Sequence, residues 1–350
     1  MKVGILYSVD KESISNYIIA CKRQSVEYET IDLYSKDWLD KVRNSKVDFF
    51  IQRPEGNLEY RKSMYDEKLY IIAKVLNRIV FPSYEEVLIY ENKKILSYYM
   101  AAKKIPHAKT DVIYYKTEAI DFLNNTAFPI VGKTSIGAAG SGVEILKNKK
   151  QALKYVKRAF SKKGITRRFG PNPNKGNACS WFVKSIKNPT MFIKKIKLYM
   201  ERNNAGQRNY VIFQEYIEHD FEWRITKCGD YYYAYQKMKL DDKCSGTGLP
   251  DGHEMEPPVE LLDYVRQICD DNHFNSMDVD ILAANDGKYR VNEMQTHWGV
   301  DHNDCMVING KRGIYTYNNG WNFIEGEFWD NNYFDMRLIA SIDFYNKQKL

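Results

Sequence analysis

Long apolar runs are missing from this chain of 350 residues. None approaches the ~18 residues of a membrane span, so no transmembrane segment is expected. The opening Met1 to Ser8 is apolar over too few residues for a signal peptide and reads as a strand. Cysteine is sparse and dispersed: Cys21, Cys179, Cys228, Cys244, Cys269 and Cys305 form no CxxC pair, so neither a zinc site nor a disulfide framework is indicated. A reduced, cytoplasmic protein is expected. No GxGxxG follows the first strand, which removes the dinucleotide fingerprint, and no GxxxxGK(S/T) occurs, which removes a Walker loop. There is no internal repeat. Acid is nearly absent from one stretch: between Lys147 and Arg208 stand 18 Lys and Arg against one acid, Glu201, although the whole chain carries a net +7. Such a stretch could face phosphates, an acidic substrate, nucleic acid or a membrane surface, or be an ordinary solvated helical face. Its aromatics (Phe169, Trp181, Phe182, Phe192) are scattered and do not make a stacking platform. A substrate-facing wall or a peptide-docking surface is the expectation, and nucleic acid is not the expected partner.

What is present is the mix of a soluble globular protein, 44% hydrophobic and 28% charged, long enough for two or three domains. Strand-like Val3 to Ser8, Glu29 to Leu33, Val47 to Ile51 and Ile79 to Phe81 alternate with helical spacing at Glu12 to Arg23, Trp38 to Val42 and Tyr65 to Asn77. That alternation predicts a parallel sheet with crossover helices over residues 1–85. Further on, Glu91 to Lys104 reads as a helix ended by Pro106. Pro257 is placed at the first position of a helix reaching Asn272, Thr296 to Gly320 reads as irregular, and Met336 to Tyr345 as a closing helix.

Three stretches carry chemistry. Strand Phe128 to Lys133 runs into Thr134-Ser-Ile-Gly-Ala-Ala-Gly-Ser-Gly142, and then strand Val143 to Leu146. Glycines there would let backbone N–H groups approach phosphate oxygens. Asp280 to Gln295 reads as a hairpin turning at Asn285-Asp286-Gly287. Strict alternation puts Tyr289, Val291, Glu293 and Gln295 on one face of its second arm. Asp280, Glu293 and Gln295 then form a hard-oxygen cluster of the kind Mg²⁺ takes, one or two carboxylates plus phosphates. His297-Trp-Gly-Val-Asp-His302-Asn-Asp304 follows directly and could be a second metal site or a substrate-binding loop, although two histidines five apart in a loop are more often ordinary hydrogen-bonding residues.

The order of these parts resembles the ATP-grasp superfamily, in the branch of the ribosomal-protein glutamate ligases and glutathione synthetases. Asn92-Lys93-Lys94 with Ile105-Pro106 is similar to the family's "DK…GIP" segment, and Phe128-Pro-Ile-Val-Gly-Lys133 to its "PVVxK" strand. Gly137 to Gly142 resembles its phosphate-covering loop, Phe213-Gln-Glu-Tyr-Ile217 its "xQEYI" hinge, and Glu222-Trp-Arg224 its "DxR". Asp242-Lys-Cys-Ser-Gly-Thr-Gly248 resembles the "DFRxSGSG" loop of glycan-associated relatives. Asp280 with Glu293-Met-Gln295 matches the "VDxx…ExN" metal strands. Three departures stand out: Gln295 where Asn is usual, Lys243 where Arg is usual, and a basic insertion over about residues 161–208.

The resemblance implies an α/β fold built of α+β sandwiches: a pre-ATP-grasp α/β domain (1–85), a small lobe (86–215) and a C-terminal lobe with the metal site (216–350). It implies ATP as cofactor with Mg²⁺, or Mn²⁺ in its place, at Asp280, Glu293 and Gln295. Lys93, Lys133, Gly137, Gly140, Ser141 and Gly142 would receive phosphates. Gln214, Glu215, Tyr216, Ile217 and Glu218 would form the adenine hinge, with Glu218 or Glu222 at the ribose. Glu222 could instead pair with Arg224. Arg224 and Lys243 would hold the acceptor carboxylate or the transferred phosphoryl group. The implied reaction joins a carboxylate to an amine through an acyl phosphate, the acceptor being a small molecule, a sugar acid of a glycan, or a peptide. A kinase of the same fold, or a nucleic-acid-binding protein using the basic stretch, are the alternatives. The sequence leaves the oligomeric state open, a homo-oligomer included.

Overall fold

The computed structural model describes residues 1–8, 11–137, 140–167, 189–239, 256–298, 306–328 and 330–349. Its strands form three sheets in chain order. The first is parallel: β1 (Lys2–Tyr7), β2 (Glu27–Asp32), β3 (Phe49–Gln52) and β4 (Val80–Phe81), in the order β2-β1-β3-β4. Helices α1 (Ser15–Arg23), α2 (Trp38–Asn44) and α3 (Glu59–Tyr70) cover it. Burial on both faces explains why β1 and β3 read as unbroken apolar runs: Val3, Ile5, Leu6 and Phe49 to Ile51 are fully buried. The predicted helix from Tyr65 begins earlier, at Glu59, and ends in a π-helical turn, Ile71–Val75. The closing helix Phe334–Lys347 returns to this sheet, where Phe334, Leu338 and Tyr345 join the core of Val3, Ile5 and Phe49.

The second sheet is antiparallel: β5 (Thr110–Ile113), β6 (Ile130–Lys133), β7 (Val143–Leu146) and β8 (Val211–Glu215), in the order β5-β8-β6-β7. It follows the short helices α4 (Tyr84–Ile89) and α5 (Lys93–Ala102). Helices α6 (Lys116–Asn124) and α7 (Lys149–Ala159) bury Ala119, Leu123, Tyr155 and Val156 against its Phe213.

The third and largest sheet holds β9 (His219–Cys228), β10 (Tyr231–Met238), β11 (Ser276–Ala284), β12 (Tyr289–Gln295), β13 (Val307–Ile308), β14 (Lys311–Tyr317) and β15 (Trp321–Glu325). The order is β12-β11-β9-β10-β14-β13, with β15 on β14. Helix Val259–Asp271 packs Leu261, Leu262 and Val265 into its core. Pro258 caps that helix, so Pro257 lies before it and not at its first position. The stretch read as irregular contains β13 and β14. The polar Lys311-Arg312-Gly313 hides the period there. Tyr315, Tyr317, Trp321 and Phe323 hold the β14–β15 pair by edge-to-face ring contacts.

One buried carboxyl ties these parts together. Ser83 and Glu86 form a reciprocal capping box on α4. The same Glu86 side chain accepts from the N–H groups of Asn275 (2.8 Å) and Ser276 (2.6 Å) at the start of β11. Burial pushes Glu86 up to about 7 despite those donors. A carboxyl raised from 4.5 in this way binds its proton more tightly when folded. Its contribution therefore strengthens the fold as pH falls from about 7 towards 4.5, and weakens it as pH rises through 7. Glu86→Gln is expected to remove that slope. It should also cost about 1–3 kcal/mol at every pH, because an amide N–H then faces a backbone N–H. Urea midpoints across the pH range, variant against parent, measure both.

Candidate active site

The three sheets bring lysines and acids together. Lys133 ends β6, and Lys93 opens α5 behind the cap Asn92, whose side chain accepts from Ile95 N (3.3 Å). Lys93 Nζ lies 3.0 Å from Glu293 Oε1 and donates to Gly137 O at 2.9 Å. The Gly137 N–H donates to Glu91 (3.3 Å), a carboxylate 3.9 Å from Lys93. The glycine loop needs its glycines. Gly140 has φ +65°, and a Cβ at Gly142 would fall 1.8 Å from Thr134 Oγ1. Ser141 packs inside it, its Oγ 3.3 Å from where a Gly137 Cβ would stand.

Across β11 and β12, Asp280 faces Glu293 and Asp278 faces Gln295. Ile281, however, faces Val291, so Asn292 is an extra residue in a β-bulge. The bulge overturns strict alternation: Val291 is buried in the core, whereas Glu293 faces Lys93. It also turns Asn292 into the site. Asn292 accepts from Lys133 Nζ (3.1 Å) and donates to Glu222 Oε1 (3.2 Å).

Asp280 is gripped from β9 and β10. Arg224 donates to both of its oxygens, at 2.8 and 2.9 Å, and Lys237 Nζ lies 2.5 Å away. Arg224 also reaches Asp278 at 3.1 Å, and Lys237 reaches Glu222 at 2.9 Å. Glu222 thus pairs with Lys237 and Asn292, with His219 Nε2 3.7 Å away. Burial works to raise Asp278, Asp280 and Glu293, and the cations decide which of them stay low. Arg224 and Lys237 overcome burial at Asp280 and hold it far below the usual carboxylate range. Burial, with the Asp280 charge two residues along adding to it, outweighs Arg224 at Asp278 and pushes it up to about 6. Lys93 and Lys133 overcome burial at Glu293 and hold it low. Burial lowers Lys93, but Glu293 and Glu91 more than offset it.

The hinge residues lie at the β8–β9 turn. Gln214 donates to Thr110 Oγ1 (3.1 Å), and the Glu215 carboxylate accepts from Lys109 N (2.7 Å). Lys239 donates to the Tyr216 hydroxyl (3.0 Å), the Ile217 carbonyl meets His219 Nδ1 (2.8 Å), and the Glu218 carbonyl accepts from Asn285 N (3.1 Å). Lys243 and His302 lie outside the described residues. His297 is half-buried against Arg337, whose Nη1 is 3.0 Å from its Nδ1. Burial and that guanidinium hold His297 well below its ordinary pKa.

Asp280 and Glu293 are partners across the strands with Gln295 two residues on, oxygen donors of the type a hard divalent cation takes, and in this structure Arg224 and Lys237 hold the Asp280 oxygens and Lys93 holds Glu293. Among the described residues, no three His, Cys, Asp or Glu converge as a metal-binding group. Sequence reasoning missed Lys237, Asp278, Asn292 and Glu91. Counting by two from Asp280 would have found Asp278, and counting by two along Tyr231, Tyr233 and Tyr235 would have found Lys237.

No family model matches the chain. The alpha-aminoadipate–LysW ligase LysX of Saccharolobus solfataricus is 27% identical over 120 residues, covering 32% of this chain and 40% of the relative's length. D-alanine–D-alanine ligase of Bacillus anthracis in complex with ATP superposes with TM-score 0.54 at 14% identity, over 99% of both chains. A RimK-domain ATP-grasp protein of Sphaerobacter thermophilus superposes with TM-score 0.50 at 12% identity, over 84% of this chain and 90% of that one. Three sheets in this order, with Lys133 of the second sheet and Lys93 of α5 brought to the third, and these superpositions along the chain, give one conclusion: the chain has the ATP-grasp fold.

Proposed function

We propose that the chain is an ATP-dependent carboxylate–amine ligase. The observation that carries this reading is the meeting of Lys93 and Lys133 with Glu293 beside a glycine loop. Two cations beside glycines that let a backbone approach closely, with an acidic floor, suit a triphosphate. The hinge Gln214 to Glu218 would take adenine, and Glu218 or Glu222 the ribose. Asp280, Glu293 and Gln295 would hold Mg²⁺, or Mn²⁺, which when bound neutralises charge on the β- and γ-phosphates. Lys93 now balances Glu293, so a metal–nucleotide pair would exchange partners without leaving either charge uncompensated: phosphate for Lys93, cation for Glu293. Arg224 keeps the Asp280 carboxylate in place from below. Lys243 would lie towards the acceptor.

The γ-phosphoryl group passes to a substrate carboxylate oxygen, giving an acyl phosphate and ADP. The amine then attacks the carbonyl carbon, loses a proton and expels phosphate, leaving an amide. No covalent protein nucleophile is needed, so catalysis is positioning and electrostatics. The acceptor class is an amino acid, a peptide or a sugar acid. The test is phosphate release from ATP across carboxylates and amines, with mass detection of the product. Release that needs both partners and yields an amide is expected. A phosphorylated carboxylate without amide would make the chain a kinase instead.

Asn292 gives a sharper check. Asn292→Ala removes the group that orients Lys133 and Glu222 together. The kcat should fall about tenfold, the worth of one charge-assisted hydrogen bond, with the Michaelis constant for ATP changed less. Asn292→Asp keeps an acceptor for Lys133 but sets a second acid against Glu222, and should be worse for stability than Ala. Initial rates over ATP concentration and thermal midpoints separate the two effects.

A further inference from the structure

A cavity of about 560 Å³ lies on the other side of α5 from the nucleotide cleft, between α3, α5 and the turn at Ser135 and Ile136. Its size is that of a small-molecule site. The separation is set by α5 itself: Lys93 points to Glu293 and Gly137, whereas Asn92, Lys94 and Ile95 line the cavity. The wall from α3 is acidic. Glu59, Ser63, Asp66, Glu67 and Tyr70 recur at helical spacing, so one polar face of α3 looks into open space. Asp66 is taken by buried Lys62. Glu59 and Glu67 form no ion pair among the described residues, and Glu67 only accepts from Ser63 Oγ (2.7 Å). The opposite wall carries a cation. Lys94 stands over the Tyr210 ring (4.8 Å) and likewise forms no ion pair among the described residues. Ile71, Ile95, Ile136, Tyr70 and Tyr84 supply apolar surface between the walls.

We propose that this cavity binds a zwitterionic amino acid, its carboxylate on Lys94 and its ammonium on Glu59 and Glu67. Glu59 and Glu67 on one wall and Lys94 on the other, none of them in an ion pair among the described residues, match a ligand carrying both charges, and the apolar lining takes its side chain. The floor connects with the nucleotide site. Lys93 N donates to Ser135 O (2.9 Å), Ser135 Oγ to Asn92 Oδ1 (2.9 Å), and Ser135 stands two residues after Lys133. An amino acid held here bears on the segments that aim both phosphate lysines, whether it is a substrate or an effector.

The experiment is calorimetric titration of the full chain, without nucleotide, with the protein amino acids and with their N-acetyl and methyl-ester forms. At least one free amino acid should bind, and both of its blocked forms should bind about tenfold or more weakly, each having lost one charge-assisted contact. Lys94→Gln and the exposed pair Glu59→Gln with Glu67→Gln should each weaken binding by a similar factor. Ser63→Trp, which fills the cavity from an exposed position, should abolish it. ATP affinity, measured in parallel, should not move in any of these variants. Mass analysis with ATP present then distinguishes a consumed amino acid from one that binds unchanged, and either supports the site. Binding that survives all the variants, or no amino acid binding by a chain that does bind ATP, overturns the site while leaving the nucleotide reading intact. No ATP binding in the parent would overturn that reading instead.

Discussion

Asp280→Ala should cost the folded state about 3–5 kcal/mol, the price of breaking a buried ion pair and stranding its partners. Asp280 is 3% exposed and accepts three contacts, two from Arg224 and one from Lys237. Its removal leaves a guanidinium and an ammonium inside the sheet. They are not wholly stranded: Arg224 keeps Asp278 at 3.1 Å, and Lys237 keeps Glu222 at 2.9 Å. The loss should therefore fall at the lower end of that range. Two further variants test the cause. Asp280→Asn keeps the volume and some hydrogen bonds and should cost less than Ala. Asp280→Leu combined with Arg224→Leu removes a charge of each sign and should recover part of the loss, as buried pairs exchanged for apolar residues do. Guanidinium unfolding at neutral pH measures all three; an unchanged slope shows that stability, not compactness, has moved. Loss below 1 kcal/mol for Ala would mean that Asp280 does not anchor the sheet. The pH dependence carries a second signature. Asp278 is raised to about 6 first by burial and further by the Asp280 charge two residues along β11. Without Asp280, Asp278 should fall towards its ordinary range of 3.8, and the stability it adds as pH drops below 6 should shrink.

The same residues show where sequence was readable. Lys133 ends an apolar strand before glycines, and a cation in that position has few structural reasons to be there. Asp280 and Glu293 were legible because Asn285-Asp286-Gly287 fixes a turn, and a turn fixes which arms face each other. Period-two counting failed at Asn292, since a bulge inserts one residue and reverses the faces beyond it. Lys237 was hidden among tyrosines that look like sheet filler. Its role appears only when β10 is laid beside β9, with Lys237 opposite Glu222. The closing helix was legible as a helix, but an amphipathic pattern does not say which core it joins. It packs on the first sheet, about 330 residues from the strand it touches. Lys94, Glu59 and Glu67 look like ordinary solvated charges in sequence. Only the space between α3 and α5 makes them a set.

Lys133→Met should lower ATP-dependent phosphate release by about 10²–10³, the effect of losing one preorganised charged donor at a transferring group. Lys133 is 7% exposed and donates to Asn292, so its ammonium is aimed before any nucleotide arrives. An aimed cation costs no reorganisation at the moment of transfer, which is why its loss should fall mainly on kcat. The fold should suffer less than in Asp280→Ala, since methionine keeps the apolar stem and Asn292 retains Glu222. Lys133→Arg is not a neutral exchange: a planar fork replaces a point charge in a buried space already holding Asn292, so it should recover little. The acidic limb of the pH–rate profile supplies an independent readout. Lys93 and Lys133 together hold Glu293 low. With Lys133 gone, the Glu293 carboxyl should take up its proton at higher pH, and the acidic limb of kcat/KM should move upward; Lys93→Met should move it further, because Lys93 is the nearer cation at 3.0 Å. Full turnover in Lys133→Met, or an acidic limb unmoved by either substitution, would remove Lys133 and Glu293 from the phosphate site.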